Sequence, residues 1–161
     1  FDQLSVIDNV RIPLLRAGGG RVSPWRWFWA ELEHDHSVNQ VAHQDLEQVG
    51  MDKQPEKLSG NLSHGEQRQL EMVMTLATSP RCLLLDEPMA GMSSEESIRM
   101  VRLIQTLKQD HAILLVEHDM NAVFDLADTI SVLVEGRVIA RGSPDEIRAN
   151  EAVQRAYLGE Q

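Results

Sequence analysis

The spacing of apolar residues along this 161-residue chain changes near residue 80. Before that point, apolar residues recur with a helical period. One helix is predicted over residues 4–15, with Ser5 as its cap, and Pro13 is expected to end or bend it. A second helix is predicted over residues 38–49. A third begins at Ser63, where Glu66 three residues later completes a capping-box pattern.

After residue 80, short apolar runs alternate with amphipathic segments. Cys82–Asp86 and Ala112–Glu117 are predicted to be buried strands, with a helix over residues 94–108 between them. Cys82 is expected to be a buried, inert thiol. A strand–helix–strand order predicts a parallel sheet. Two strands follow, joined by a Glu135-Gly136 hairpin turn, and then short helices from Ser143 to the end of the chain.

Composition narrows the class of protein. Apolar residues make up 42% of the chain and charged residues 25%, which is typical of a soluble globular domain. No apolar run approaches the roughly 20 residues that span a bilayer. The formal net charge is -10, and no basic stripe is visible, so nucleic acid is not a predicted partner. Phosphate ligands remain possible, because helix N-termini bind anions through backbone N–H groups.

Three short segments carry candidate chemistry. Asp86 and Glu87 follow an apolar strand, where carboxylates can hold Mg²⁺ and orient water; the alternative is a strand that ends in solvated acids. His118 follows the next strand, where it could reach a phosphate oxygen or serve only as a surface residue that caps a helix. Leu62-Ser63-His64-Gly65-Glu66 places a serine and a glycine at a helix N-terminus, which suits an anion site or an ordinary capping box.

Together these segments resemble the ATP-binding-cassette (ABC) family. That family has a Leu-Ser-Gly-Gly-Gln signature, an acidic strand and a switch histidine in the same order. The resemblance implies that Leu62, Ser63, His64, Gly65 and Glu66 contact the ATP of a neighbouring subunit. It implies further that Asp86 holds Mg²⁺ through water, that Glu87 activates the attacking water and that His118 contacts the γ-phosphate.

The resemblance extends to one branch of the family. Ala90-Gly91-Met92, Glu117-His118-Asp119-Met120 and Ala156-Tyr157-Leu158-Gly159 resemble the subunits that power uptake of branched-chain amino acids, with urea importers close behind. His64 and Glu66 replace the Gly and Gln of the general signature. Ser93 stands where the loop formed by Ala90, Gly91, Met92 and Ser93 normally ends in Asp, which puts tight coupling of two ATP sites in doubt.

Three features of the family are missing from this sequence. No Gly-x-x-x-x-Gly-Lys-Ser/Thr phosphate loop occurs, and the adenine-stacking aromatic residue and the loop glutamine are also absent. These parts are expected before residue 1, so the chain is predicted to be the C-terminal portion of a longer protein and inactive alone. The alternatives are a non-catalytic interaction fragment or a soluble ABC ATPase of DNA repair or translation.

The resemblance also implies an architecture and partners. The expected fold is α/β, part of a P-loop NTPase domain. A helical subdomain over residues 1–79 precedes the second half of a mainly parallel sheet, with flanking helices and a C-terminal hairpin, over residues 80–161. ATP and Mg²⁺ are the implied ligands. A second ATPase subunit and integral membrane permease subunits are the implied partners, at the cytoplasmic face of the plasma membrane. The tryptophan-rich segment 24–29 is expected to dock on the permease or to pack within the helical subdomain.

Overall fold

A computed structural model describes residues 1–17 and 36–158 of the chain. The tryptophan-rich segment 24–29 therefore lies outside the described residues. The chain divides into two compact units, Phe1–Leu115 and Val116–Gln161. The predicted division at residue 79 follows family architecture and stays a prediction.

Among the described residues, the first part of unit 1 contains the α-helices α1 at Val6–Ala17, α2 at His36–Gln48 and α3 at His64–Leu76, with a short 3-10 helix at Ser59–Asn61 before α3. Ser5 caps α1 as predicted, since its Oγ accepts the Asp8 N–H at 3.2 Å. The prediction that α1 could end at Pro13 is wrong, because Pro13 lies inside the helix. Leu14, just beyond it, packs on the core shared with α2 and α3, and this burial offsets the single backbone hydrogen bond that proline removes.

The core between these helices is mainly apolar, and Asn9 is the most deeply buried polar residue described there. The side chain of Asn9 is fully buried, and its Nδ2 donates to the carbonyls of Phe1 and Ser5 and to the Ser59 hydroxyl at 3.0–3.2 Å. Asn9 thereby ties α1 to the segment that precedes the signature. The buried apolar residues around it are Val6, Ile7, Val10, Ala42, Leu46, Val49, Met51, Leu62, Leu70, Val73 and Ala77.

The second part of unit 1 contains β1 at Cys82–Asp86, α4 at Ser94–Leu107 and the start of β2 at Ala112–Val116. β1 and β2 are hydrogen-bonded neighbours in a two-stranded sheet. The buried stripe of α4 consists of Met100, Ile104 and Leu107, at i, i+4 and i+7. Ile98, on the same helix, is 53% exposed.

The prediction that both strands are buried is only half right. Leu83 is 1% exposed, but Leu84 is 74%, Leu114 60% and Val116 55% exposed. Side chains alternate between the two faces of a strand, and among the described residues one face of this sheet is left uncovered. Cys82 points to the open face and is exposed, so the prediction of a buried thiol is wrong.

The second unit holds α5 at Met120–Leu126, β3 at Ile130–Val134 and β4 at Arg137–Gly142. β3 and β4 form the predicted antiparallel hairpin, with Glu135 and Gly136 both at positive φ in the two-residue turn. Three short helical segments close the chain: α6 at Pro144–Arg148, α7 at Glu151–Val153 and a π-helical turn at Gln154–Leu158.

The small core of the second unit consists of Ile130, Val132, Ile147 and Val153. None of the helices described is long and apolar enough to cross a membrane.

Candidate functional site

The signature segment forms the N-terminus of α3. Ser63 Oγ accepts the Glu66 N–H at 3.2 Å, and the Glu66 carboxylate accepts the Ser63 N–H at 2.8 Å, which completes the predicted capping box. Lys57 Nζ lies 3.1 Å from the same carboxylate. The Ser63 N–H and then Lys57 lower the pKa of Glu66 against the opposing effect of burial. These local contacts order the first turn of the signature helix.

The end of β1 carries the two predicted acidic residues. The side chains of Asp86 and Glu87 are both exposed. Glu87 has a φ of +45°, in the left-handed region that a residue with a Cβ rarely adopts. A tight turn follows, in which the Ala90 N–H donates to the Glu87 carbonyl at 3.0 Å. Backbone strain of this kind concentrates at functional positions, although here Ser79 and Glu135 also have positive φ.

The loop from Ala90 to Ser93 returns the chain to the signature segment. A Cβ on Gly91 would lie 3.4 Å from Cδ2 of His64. Ser93 caps α4 with a second capping box, in which Glu96 is the acidic partner. The Ser63 hydroxyl donates to the same Glu96 carboxylate at 3.1 Å. The signature segment and the Ala90–Ser93 loop, which the sequence predicted as separate motifs, are therefore in contact within one subunit.

Glu96 was not predicted as a site residue. Its place in the Ser93-x-x-Glu96 pattern could have revealed its role as a cap, but not its contact with Ser63. That contact joins residues 33 positions apart and depends on the packing of α3 against α4. Gly65 faces the same carboxylate, because a Cβ at Gly65 would overlap it.

A cleft of about 170 Å³ separates α3 from the end of β1. Asp86 lines it on the strand side, and Arg68 lines it on the helix side. Arg68 also pairs with Glu71 at 2.8 Å on the surface of α3. The cleft leaves the Asp86 carboxylate accessible from the side of the signature helix.

His118 belongs to the second unit, two residues beyond β2. Its side chain is 72% exposed, whereas the side chain of the preceding Glu117 is only 2% exposed. The Glu117 carboxylate accepts the His118 N–H at 2.9 Å and lies 3.7 Å from the His118 Nδ1. Asp119 caps α5 through the N–H groups of Asn121 and Ala122, so the backbone that carries His118 is fixed on both sides.

The acidic side chains at the end of β1 suit Mg²⁺ in one respect. Mg²⁺ in phosphate-transfer sites is usually held by one or two carboxylates together with water and substrate phosphates. Asp86 supplies an accessible carboxylate of this kind. Within residues 1–17 and 36–158, no group of three or more His, Cys, Asp or Glu side chains converges on a single point. The described residues therefore suit a Mg²⁺ site that water and substrate phosphates complete, more than a site built from protein ligands alone.

Comparison with known families shows which family the chain belongs to. The family described as "ABC transporter" matches residues 1–90, more than half of the chain. The chain belongs to the ABC transporter family. A second family, described as "Branched-chain amino acid ATP-binding cassette transporter", matches residues 137–161. The first match covers the signature, the acidic strand and the start of the following loop, and the second begins with β4.

Individual relatives indicate the same branch of the ABC transporter family. The chain is 43% identical over 117 residues to the high-affinity branched-chain amino acid transport ATP-binding protein LivG of Salmonella typhimurium (71% of this chain, 46% of that protein). It is 41% identical over 117 residues to BraF, the corresponding protein of Pseudomonas aeruginosa, with the same coverage. The matched part spans about half the length of these relatives.

Solved structures agree on the fold. An ATP-binding cassette of an ABC transporter in its ADP conformation superposes with a TM-score of 0.76 at 23% identity, covering 99% of this chain and 64% of that one. A nucleotide-free cassette gives 0.71 at 21% identity, covering 99% and 60%. The predicted family and α/β ATPase fold are confirmed. The roles assigned to individual site residues stay predictions.

Proposed function

We propose that this chain provides the signature segment, the acidic strand end and the switch histidine of the ATP-hydrolysing subunit of a branched-chain amino acid importer. The identity with LivG over 117 residues is the observation that carries this proposal. The match of residues 137–161 to the branched-chain family supports it against a soluble ATPase of DNA repair or translation.

The proposed mechanism divides the residues between two ATP molecules. Ser63, Gly65 and the free N–H groups of α3 bind the γ-phosphate held by a second ATPase subunit, because a helix N-terminus favours an anion. Leu62 seats this segment in the core, where it is 9% exposed. His64 and Glu66 complete the segment, with Glu66 holding the backbone through its capping box.

The remaining residues act on the ATP of their own subunit. Asp86 would hold Mg²⁺, and the cation would supply charge stabilisation to the phosphates when bound. Glu87 orients the attacking water and accepts its proton, while His118 contacts the γ-phosphate. The loop of Ala90, Gly91, Met92 and Ser93 connects the two ATP sites. The intact subunit acts at the cytoplasmic face of the membrane with permease subunits, which it moves by closing on ATP.

Replacement of Glu87 by Gln in the complete protein tests the assignment of the base. We expect steady-state ATP hydrolysis to fall at least 100-fold, because general-base catalysis contributes about 10²–10⁴-fold. Glu135→Gln is the matched control, since Glu135 is also exposed and at positive φ but lies in the hairpin turn. Near-normal turnover in Glu87→Gln would refute the assignment.

The printed sequence contains no phosphate loop, so we infer that these 161 residues alone neither bind ATP tightly nor hydrolyse it. Isothermal titration of the isolated chain with ATP and Mg²⁺ should show no binding in the micromolar range. A dissociation constant in that range would contradict this inference.

A further inference from the structure

Glu96 connects the two segments that the proposed mechanism treats as separate parts. One carboxylate oxygen, Oε1, accepts the Ser63 hydroxyl at 3.1 Å. The other, Oε2, accepts the Ser93 N–H and the Ser93 hydroxyl, both at 2.8 Å. A single side chain thus bridges the N-terminus of α3 to the N-terminus of α4.

The bridge lies where the signature segment is expected to bind phosphate. A Cβ on Gly65 would overlap the Glu96 carboxylate, so a larger residue there would require the Glu96 side chain to move away. The Ser63 hydroxyl has one proton, and in the chain as it stands this proton is donated to Glu96. A phosphate oxygen bound to Ser63 would therefore compete with Glu96 for the same donor.

Charge makes this competition unfavourable for Glu96. Its carboxylate and a γ-phosphate are both anions, and they repel each other at the distances that Ser63 and Gly65 impose. Arg99, one turn further along α4, attracts the Glu96 charge and offers it another partner. Glu96 can leave Ser63 while keeping its contacts with Ser93, because those contacts use the other carboxylate oxygen.

We propose that Glu96 is a positioning residue that holds Ser63 in the nucleotide-free subunit and is displaced from it by the γ-phosphate of the neighbouring subunit's ATP. Displacement removes the hydrogen bond that ties the N-terminus of α4 and the Ala90–Ser93 loop to the signature helix. Glu96 thereby links ATP capture at the signature segment to the loop between the two ATP sites. The proposal rests on the proposed function, because it requires the signature segment to bind a phosphate.

The first test is Glu96→Gln in the complete transporter. Glutamine preserves the capping box and removes the charge. We expect the KM for ATP to fall about three- to tenfold, because the bound phosphate no longer meets a like charge. Glu146→Gln is the matched control, since Glu146 makes the same capping box with Ser143 at α6, with its carboxylate 2.7 Å from the Ser143 N. An unchanged or raised KM in Glu96→Gln would overturn the proposal.

The second test measures the bridge directly by thermal unfolding. Ser63→Ala, Glu96→Ala and the double variant form a double-mutant cycle, because alanine at either position removes the hydrogen bond between the two side chains. We expect the shifts in Tm to be non-additive without nucleotide and additive with a non-hydrolysable ATP analogue bound. Additivity in both states, or non-additivity in both, would contradict displacement.

The double-mutant cycle measured without nucleotide does not depend on ATP hydrolysis. If the proposed function fails, Glu87→Gln keeps its activity while the Ser63–Glu96 coupling is still measurable. If the bridge alone fails, Glu87→Gln loses activity and the coupling is absent.

Discussion

At the scale of single residues, partly buried ionisable side chains determine how the stability of the first unit depends on pH. Asp45 is half-buried near the C-terminus of α2, and desolvation raises the pKa of its carboxyl above the ordinary value of 3.8. A negative charge near a helix C-terminus is also unfavourable. The ionised form of Asp45 therefore destabilises the folded chain at neutral pH.

Asp45→Asn should consequently raise the thermal stability of the complete protein at pH 7, on the order of 2 °C. Because the folded pKa is raised, the cost of ionisation exists above that pKa and disappears as the pH falls through it. The gain should therefore shrink in acid. Thermal melts between pH 7 and pH 3 measure it, with the exposed Asp52→Asn as control. A gain that is constant with pH would contradict the explanation.

At the scale of elements, three of the helices within residues 1–17 and 36–158 start with the same reciprocal contact between a serine and a glutamate. The pairs are Ser63 with Glu66, Ser93 with Glu96 and Ser143 with Glu146. In each pair the serine N–H is the main cause of a lowered glutamate pKa. Each box uses atoms within one turn, so the start of α3 was predictable from sequence alone.

The box at α3 has an additional cation, which gives a second prediction. Glu66→Gln keeps the capping geometry but loses the ion pair with Lys57, so stability at pH 7 should fall by less than about 1 kcal/mol. The folded pKa of Glu66 lies below its ordinary value of 4.5. Its contribution is therefore complete above that value and lost as the pH falls through the folded pKa.

Melting curves of Glu66→Gln and the parent protein should thus converge in acid. Glu47→Gln, at an exposed position of α2, serves as control. A difference that persists below the folded pKa of Glu66 would show that the loss is one of helix capping and not of charge.

At the scale of the whole molecule, the uncovered face of the β1–β2 sheet is the main liability of this chain. Leu84, Leu114 and Val116 are each more than half exposed on neighbouring strands. An apolar face of this kind promotes association. We expect the 161-residue chain expressed alone to aggregate or unfold partly.

Leu84→Thr combined with Leu114→Thr should reduce that aggregation, because threonine keeps strand propensity and removes apolar surface. Light scattering and binding of a hydrophobic dye compare the variant with the parent chain. A matched pair on the hairpin, Leu133→Thr with Val138→Thr, controls for loss of exposed apolar area elsewhere. A sharp, reversible two-state melt of the unaltered monomer would contradict the prediction.

The sequence alone determined the motifs, their order and the elements that carry them. Capping boxes, the Glu135-Gly136 turn and the helical period each depend on neighbours within a few positions, so local chemistry is enough to predict them. Of the two outcomes predicted at Pro13, an end of the helix was wrong, because the local penalty of proline is outweighed by packing of the helix around it; a bend stays a prediction.

Only the tertiary structure decided which strand faces are covered and what the signature segment contacts. Apolar runs in β1 and β2 have the same composition whether one face or two are buried, so Cys82 and Leu84 could not be placed from sequence. The contact of Ser63 with Glu96 spans 33 positions. It exists because α3 and α4 pack together, and no pattern within either helix contains that information.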